Sequence, residues 1–363
     1  MSTAWFAPGR VNLIGEHTDY NDGFVLTLAL TLGTTVRATS RDDRTLRITS
    51  AQEPGGPVVV ALDGLEPGAV SGWAAYVAGT AGALAQLGID VPGADLHVDS
   101  TVPRGAGLSS SAALECATAG ALLDLAGARL DPIEVALLAQ HAENDFVGMP
   151  CGLMDQAVSV LARRDHLLLL DARSHEHRHV PFDLDAHGLA LLVIDTRAPH
   201  VLVDGGYAAR RAQCAQAARE LGVPALRDVD DLDAALGALD DDVLRRRVRH
   251  VITENRRVLD VVALLDAGRV AEIGPLLTES HVSLRDDFEV ACRELDLAVD
   301  AALAGGALGA RMTGGGFGGS AIALVETNVA GAVRSSVTAA FEAAGLPAPL
   351  HVSAVPGPGY RQL

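Results

Sequence analysis

Residues 102–127 read VPRGAGLSSSAALECATAGALLDLAG. Gly105 and Gly107 allow the backbone to turn tightly and to approach a ligand closely. The serines that follow open an alanine- and leucine-rich run with high helix propensity, and residues 95–100 alternate apolar and polar side chains as a half-buried strand does. The predicted helix start presents free N–H groups, where phosphate binds, although an ordinary serine-capped helix would show the same pattern.

The sequence contains no lysine, so all 28 of its basic residues are arginines. A P-loop and the protein-kinase motif set both require a lysine, and both are therefore excluded. If a nucleotide binds, backbone amides, a metal ion and arginine side chains have to meet its charge. Arg104, beside the glycine loop, is either a supplementary charge of this kind or an exposed arginine.

The chain has 363 residues, of which 49% are hydrophobic and 20% are charged, as expected for two packed domains that share a cleft. The net charge of −18 argues against nucleic acid as a partner, because that binding depends on a basic face. No apolar run reaches the ~20 residues of a membrane span, and the start of the chain lacks the features of a signal peptide. The four separated cysteines indicate reduced thiols, so we expect a cytoplasmic protein with no membrane partner.

The beginning of the chain has the composition of β-structure, with strands predicted at 5–7, 24–30, 34–39 and 45–49. The connection between the first two strands is GRVNLIGEHTDYNDG, residues 9–23. Turns commonly use Asn, Asp and Gly, but they seldom need Arg, Glu and His as well. We therefore favour a functional site in this connection over a solvated loop.

Two carboxylates stand at helix ends further along the chain. Glu143 lies near the end of a helix predicted from residue 131 to about 144, where a negative charge is unfavourable against the helix dipole. It is either a solvated charge or a metal ligand. Asp155 lies in the first turn of the next predicted helix, where the dipole favours it, and it either supports the helix start or contributes to a site.

Beyond residues 180–188 the predicted structure becomes mostly helical, so we place a domain boundary there. Residues 309–327 read GARMTGGGFGGSAIALVET, and GGGFGG satisfies the dinucleotide-binding pattern G-x-G-x-x-G. That fingerprint requires a helix directly after the glycines, whereas residues 320–325 have the composition of a strand. A Rossmann site is therefore excluded, and a strand, a glycine loop and a second strand are predicted.

Four stretches together resemble the galactokinases, a family of the GHMP small-molecule kinases. They are GRVNLIGEHTDYNDG at 9–23, VPRGAGLSSSAALE at 102–115, GMPCGLMDQ at 148–156 and ARMTGGGFGGSA at 310–321. They follow the order of the family, so the resemblance covers nearly the whole chain. The GEHTDY run narrows it from the superfamily to the galactokinases.

The resemblance implies an α/β (α+β) fold of two lobes with the active site between them. The N-terminal lobe, residues 1–185, would be similar to the second domain of ribosomal protein S5. The C-terminal lobe, residues 186–363, would be ferredoxin-like, and the last residues could pack back on the N-terminal lobe. The implied activity is phosphoryl transfer from ATP to the anomeric hydroxyl of galactose, with Mg²⁺.

The same resemblance implies roles for individual residues. Asp155 would be the catalytic base, and Arg10 would keep it ionised and stabilise the transferring phosphoryl group. The sugar-binding residues would be Glu16, His17, Thr18, Asp19, Gly152 and Tyr207. The nucleotide-binding residues would be Ser50, Trp73, Gly105, Ala106, Gly107, Leu108, Ser109, Ser110 and Ser111. Ser111 and Glu143 would hold Mg²⁺.

Two other functions stay open at this level: a kinase of the same superfamily that acts on N-acetylgalactosamine, and a galactose-sensing regulator with weak catalysis. The known sensors have lost residues of the serine loop, whereas GLSSSAA and Asp155 are both present here. An acidic scaffold protein would leave Arg10, Glu16, Asp19 and Asp155 unexplained. We expect galactose and ATP as partners and a monomeric chain.

Overall fold

The computed structural model describes residues 1–103, 105–198 and 203–363, and Arg104 lies outside them. Two separate β-sheets, one of eight strands and one of four, form the framework of the described chain. Helices cover both sheets. Among the described helices, none has both the length and the apolar character that crossing a bilayer requires.

The eight-stranded sheet is built from the first half of the chain and from its last residues. Its strands are β1 (Ser2–Ile14), β2 (Phe24–Ser40), β3 (Thr45–Ser50), β4 (Val58–Ala61), β5 (Ala94–Ser100), β6 (His166–Asp171) and β7 (His177–Pro181), together with a short final strand (Arg361–Gln362). The final strand pairs with β1, which pairs in turn with β2. Only the β3–β5 pair is parallel among the described strands.

The four-stranded sheet is antiparallel and is formed by β8 (Leu189–Asp195), β9 (Gly309–Thr313), β10 (Ser320–Glu326) and β11 (Leu350–Ala354), in the order β11–β8–β10–β9. The final strand of the first sheet is accordingly β12. The glycine-rich run 314–319 joins β9 directly to β10, so the predicted strand, loop and strand are confirmed.

Ten α-helices surround the sheets in the described chain. The N-terminal half contains α1 (Ala74–Gln86), α2 (Ser110–Ala126), α3 (Pro132–His141) and α4 (Met154–Leu161). The C-terminal half contains α5 (Val203–Leu221), α6 (Leu232–Ala238), α7 (Asp242–Asp266), α8 (Gly274–Asp286), α9 (Arg293–Ala304) and α10 (Ala330–Ala343). A π-helical turn, Ala142–Val147, continues α3.

Helix α2 is the helix predicted from residues 102–127, and it is buried on nearly every side. It is apolar all round, which is typical of a helix enclosed in a core rather than lying on a surface. At Gly120 a Cβ atom would stand 2.4 Å from the Trp5 ring, so only glycine allows the helix to approach β1 this closely. The helix is terminated by Gly127, whose backbone has the left-handed conformation.

The prediction that residues 9–23 form one connection is wrong for their first part. Strand β1 continues to Ile14, so Arg10 and Asn12 lie on a strand and only residues 15–23 form the loop. The pairing of β1 with β2 shifts register between Pro8 and Arg10 and again between Asn12 and Ile14. Such bulges re-aim side chains, so the polar residues of this strand do not follow a simple alternation. The strands predicted at 24–30 and 34–39 are one strand, β2.

The lobes share an apolar core in addition to their own cores. This third cluster brings Val11 and Leu28 of the first sheet together with Val193 and Ile322 of the second and with Val258 of α7. Because all of these side chains are fully buried, the cleft between the sheets has packed walls. We propose the division at residues 1–185 and 186–363, across which the C-terminal β12 pairs with β1.

Candidate active site

An ion pair between Arg10 of β1 and Asp155 of α4 lies at the centre of the cleft. Arg10 Nε donates to Asp155 Oδ1 at 2.8 Å, and Nη2 donates to Oδ2 at 2.9 Å. The third guanidinium nitrogen, Nη1, donates to the carbonyl oxygen of Gly107 at 2.6 Å. The Ser109 hydroxyl also donates to Asp155 Oδ2. The bidentate pair orients a carboxylate that remains 24% exposed while its arginine is 5% exposed.

A small cavity of about 250 Å³ opens on one side of this ion pair. Among its lining residues are seven of the predicted catalytic and sugar-binding residues: Arg10, Glu16, His17, Asp19, Gly152, Asp155 and Tyr207. Residues 148–151, Met154, Gly314 and Gly315 complete the wall. Carboxylates and imidazole beside aromatic rings suit a small ligand with several hydroxyl groups, because each carboxylate can accept from two of them.

Asp19 occupies its place in this cavity because residue 152 has no side chain. A Cβ atom on Gly152 would stand 1.7 Å from Asp19 Oδ2. The backbone N–H of Tyr20 donates to Asp19 Oδ1 at 3.0 Å, which fixes the other carboxylate oxygen. Burial, and secondarily the charge of Asp155, raises the pKa of Asp19 to about 6. The cost of desolvating this carboxylate thus outweighs its hydrogen bond to Tyr20.

His17 belongs to an aromatic cluster that forms another wall. Its ring lies 5.5 Å from the Tyr207 ring and 4.7 Å from the Phe288 ring, between ring centroids. Nδ1 is hydrogen-bonded to the Tyr20 hydroxyl at 2.9 Å. Burial, followed by the effect of His250, lowers the pKa of His17 to about 3, so its ring is neutral. Nε2 is buried without a hydrogen-bond partner in the described structure.

Glu16 and Thr18 differ from His17 and Asp19 because their side chains form hydrogen bonds that fix the 15–23 loop in place. Glu16 accepts from the backbone N–H of Gly314 at 2.7 Å, which ties the loop to the β9–β10 connection. The Thr18 hydroxyl is within hydrogen-bond distance of the carbonyl oxygens of Gly15 and Phe24, at 2.8 and 2.7 Å. Thr18 does not line the cavity, so the structure does not bring it to the place predicted for the sugar.

A larger cavity of about 700 Å³ lies next to the small one. Its lining includes Ser50, Trp73, Ser110 and Ser111, four of the residues predicted to contact nucleotide. Met149 lines both cavities, so they adjoin at the turn before α4. The small cavity is thus lined by charged and aromatic side chains, and the larger one by serines and an aromatic side chain.

The glycine loop before α2 is packed between the two lobes. Ala106 and Leu108 are buried, and neither lines a cavity; their carbonyl oxygens accept from the Ser320 hydroxyl at 2.6 Å and from the Arg10 N–H at 3.1 Å. Gly105 is exposed, and the Gly107 carbonyl accepts from Arg10. These four residues therefore present backbone rather than side chains to a ligand.

Helix α2 begins without a side-chain cap. The residue before its first turn, Ser109, is left-handed with φ of 55°, and its hydroxyl bonds to Asp155 instead of to the helix. The N–H groups of the first turn are consequently available, and the positive end of the helix dipole points in the same direction. A helix start of this kind can bind phosphate, so the phosphate site stays a prediction.

The residues predicted to hold a metal also lie together. Glu143, in the π-helical turn, is 8% exposed, and Ser111 lies close enough to lower its pKa, though less than burial raises it. Gln156 Nε2 donates to Glu143 Oε2 at 2.6 Å. Burial, followed by the charge of Asp155, raises the pKa of Glu143 to about 7. A divalent cation would offset this accumulation of negative charge, and oxygen donors are what Mg²⁺ prefers.

No group of three or more His, Cys, Asp or Glu side chains forms a metal cage among the described residues. Mg²⁺ does not need one, because it keeps several water molecules and takes only one or two carboxylates besides substrate phosphates. The donor set of Ser111 and Glu143 therefore fits Mg²⁺ bound together with a nucleotide.

Sequence reasoning missed four buried polar residues of the C-terminal lobe that lie around the 15–23 loop and the end of β1. They are His250, Glu254 and Asn255 of α7 and Arg311 of β9. Arg311 Nη1 donates to the carbonyl oxygens of Asn12 and Leu13, at 3.3 and 3.0 Å. The only local signal was the spacing of His250 and Glu254, which places both on one helix face. Such spacing is common on helices and does not single out a site.

The fold and the two glycine-rich motifs define the class of protein. A family model described as "GHMP kinases N terminal domain" matches residues 75–163, and one described as "GHMP kinases C terminal" matches residues 261–343. Crystal structures of distant members agree in fold alone: mevalonate kinase from Methanococcus jannaschii is 17% identical with a TM-score of 0.67, over 98% of both chains.

More specific comparisons identify the family. The model "Galactokinase galactose-binding signature" matches residues 2–40. The chain is 54% identical to the galactokinase of Streptomyces coelicolor, over 99% of this chain and 94% of that protein. It is 48% identical to the galactokinase of Mycobacterium tuberculosis, over 98% and 99%. The chain belongs to the galactokinase family.

A solved member of the family has the same architecture. The crystal structure of Lactococcus lactis galactokinase complexed with galactose is 34% identical to this chain, with a TM-score of 0.96 over 100% of this chain and 95% of the other. The predicted family and the predicted two-lobed α/β fold are thereby confirmed, and the chain is a kinase.

Proposed function

We propose that this kinase transfers the γ-phosphoryl group of ATP to the anomeric hydroxyl of galactose, giving galactose 1-phosphate and ADP. The observation that carries the proposal is the Arg10–Asp155 pair in the wall of a small cavity that adjoins a larger one at Met149. A sugar in the first and a nucleotide in the second would meet at the Asp155 carboxylate. The bound galactose of the Lactococcus lactis enzyme supports this choice of sugar.

The small cavity supplies hydrogen-bonding groups around the sugar. In the proposed complex Asp19 and Glu16 accept from ring hydroxyls, and His17 Nε2 meets another hydroxyl group. Gly152 leaves the space for Asp19, and Tyr207 packs against the sugar. A hydroxyl group that pairs with His17 Nε2 would satisfy a buried atom that has no hydrogen-bond partner in the described structure.

The large cavity holds the nucleotide in the proposed complex. Backbone amides of Gly105–Ser111 and the uncapped start of α2 meet the phosphates, which matters in a chain without lysine. Ser50 and Trp73 lie where the nucleoside would reach. Phosphoryl transfer needs positioning and charge neutralisation more than covalent chemistry, and this arrangement provides both.

Asp155 is the proposed base that takes the proton of the anomeric hydroxyl. Arg10 holds both carboxylate oxygens, so the carboxylate keeps one orientation, and the guanidinium lies where negative charge moves between the substrates. Ser109 links this carboxylate to the start of α2 and hence to the phosphate site. Orientation of the acceptor hydroxyl and proton removal would therefore depend on the same group.

Ser111 and Glu143 are the proposed ligands of Mg²⁺, which when bound neutralises charge on the nucleotide phosphates. We expect Glu143→Gln to raise the Mg²⁺ concentration for half-maximal rate by roughly tenfold or more, on the order of what metal-site changes produce. Galactose binding in the absence of ATP should stay nearly unchanged, because Glu143 does not line the sugar cavity. Rates measured across a Mg²⁺ series and calorimetry with galactose test this, and an unshifted Mg²⁺ dependence removes Glu143 from the site.

A coupled ADP-release assay across galactose, glucose, N-acetylgalactosamine, mevalonate and homoserine tests the proposed substrate. Galactose should have the highest kcat/KM of the panel. Preference for N-acetylgalactosamine would mean that this related sugar, and not galactose, is the substrate. Preference for mevalonate or homoserine would contradict the proposal. Binding of galactose and ATP without ADP release would indicate a sensor instead of an enzyme.

The compartment, the oligomeric state and the metabolic role of the enzyme are also proposals. None of the four cysteines is in a disulfide, as expected for a reducing compartment, and we propose a cytoplasmic monomer that carries out the first committed step of galactose catabolism. Size-exclusion chromatography with light scattering tests the monomeric state.

A further inference from the structure

The loop proposed to bind the sugar, residues 15–23, belongs to the N-terminal lobe in sequence. It is nevertheless hydrogen-bonded to the C-terminal lobe. The backbone N–H of Gly15 donates to Glu254 Oε1 at 3.0 Å, and that of Phe24 donates to Asn255 Oδ1 at 2.8 Å. His250 Nε2 is 3.1 Å from the carbonyl oxygen of Glu16. Three residues of one helix, α7, thus bind the two ends of the loop.

Helix α7 presents these side chains from fixed positions. Glu254 is fully buried, and its carboxylate also accepts from the Ser280 hydroxyl of α8 at 2.7 Å. His250 is fully buried as well, and its other ring nitrogen is 2.9 Å from the Ser283 hydroxyl of α8. Because each side chain is held at both ends, it cannot follow a movement of the loop without losing a buried hydrogen bond.

The loop closes on itself between these anchors. Gly15 has φ of +102°, and a Cβ atom there would stand 2.7 Å from the carbonyl oxygen of Phe24. A Cβ atom on Gly23 would stand 2.4 Å from Asn255 Oδ1. The chain is therefore tightly packed where it enters and leaves the loop, and the residues between, which include Asp19, take their position from these two points.

We propose that His250, Glu254 and Asn255 are positioning residues for the sugar loop, so that galactose affinity is set by a helix of the C-terminal lobe that does not contact the sugar. None of the three lines the sugar cavity, whereas Glu16, His17 and Asp19 of the loop do. The inference rests on the proposed function, because galactose is the ligand that reports the position of the loop.

If these three residues had a purely structural role, substituting them would weaken the binding of both substrates or would lower only the stability of the protein. A positioning role affects galactose selectively, because the nucleotide cavity is formed by other segments of the chain. The informative measurement is therefore the ratio of the two dissociation constants, together with the melting temperature and with kcat at saturating galactose.

Asn255→Ala is the principal variant, because it removes a neutral side chain and leaves no charge buried without a partner. The Phe24 N–H loses its acceptor, and we expect the galactose dissociation constant to rise about 5- to 30-fold. The ATP dissociation constant should stay within about twofold, and kcat at saturating galactose should stay near the wild-type value. Arg256→Ala, an exposed position on the same helix, is the matched control and should change neither constant.

His250→Phe is a second variant that keeps a ring against Phe288, whose centroid is 4.5 Å from that of His250. It removes the hydrogen bond to Glu16, and galactose affinity should again fall selectively. If Asn255→Ala does not fold, His250→Phe tests the positioning role by the same comparison of galactose and ATP affinities. Folded variants with wild-type galactose affinity, or with equal losses for galactose and ATP, overturn the inference. A wild-type protein that does not bind galactose would instead contradict the proposed function.

Discussion

Asp155→Asn should lower kcat by roughly 10²–10⁴-fold, the usual contribution of a positioned base. Asparagine has the shape of aspartate, but it cannot take the proton. Its amide can also accept from only one of the two Arg10 N–H groups that now bind the carboxylate at 2.8 and 2.9 Å. Steady-state rates at saturating galactose and Mg-ATP measure the effect. Circular dichroism and ATP binding should show a folded protein, since the side chain is partly exposed.

Arg10→Ala should reduce kcat by a similar factor, and the double variant should be little worse than either single one. Groups that act as a unit are non-additive, and the bidentate contact makes these two side chains one unit. Additive losses would show that Arg10 and Asp155 act separately. Near-normal turnover by Asp155→Asn would leave Asp155 as a helix-start residue, and the mechanism would then depend on positioning alone.

Gly152→Ala should abolish most galactose binding in a protein that still folds. The new methyl carbon would stand 1.7 Å from Asp19 Oδ2, so the Asp19 carboxylate has to rotate out of its place. Residue 152 does not have a positive φ, so alanine adds no backbone strain. Losing the hydroxyl partners of a pocket built for hydrogen bonds costs about 1–3 kcal/mol for each group left unpaired. We expect the galactose dissociation constant to rise roughly 10²-fold, measured by calorimetry.

Gly237→Ala is the matched control, because a Cβ atom at that glycine of α6 would meet no atom within 4 Å. It should leave galactose binding unchanged. In Gly152→Ala the melting temperature and the affinity for ATP should also stay close to wild type. The clash is with the end of the Asp19 side chain, which can move aside without a shift of the backbone. Wild-type galactose affinity in Gly152→Ala would mean that Asp19 does not bind the sugar.

Local patterns in the sequence predicted many elements of the fold. The helix predicted from residue 131 is α3, and Asp131 and Glu134 form a capping box at its start. The strand over 95–100 and the strand–glycine loop–strand around 314–319 were also predicted. These elements depend on residues close in sequence, such as a cap, a proline or alternating side chains, and so a single chain is enough to recognise them.

The path of β1 was not predictable in the same way. Its polar residues Arg10 and Asn12 suggested a loop, because nothing in the sequence showed that two bulges against β2 would accommodate them. Likewise, Thr18 stands within a run of site residues, yet its hydroxyl bonds within the loop and not in the cavity. Proximity in sequence grouped these residues, whereas their directions depend on pairing with distant strands.

The sequence alone determined the family, the order of the motifs and the types of chemical group in the site, because motif spacing and the absence of lysine are properties of the linear chain. Only the tertiary structure decided how those groups meet. It placed the Gly107 loop and Ser109 against the Arg10–Asp155 pair, and it fastened the sugar loop to α7. These contacts join residues more than 40 positions apart, and up to 239 for Gly15 and Glu254. Which buried polar groups find one another across such separations is set by the packing of the two lobes and not by local propensity.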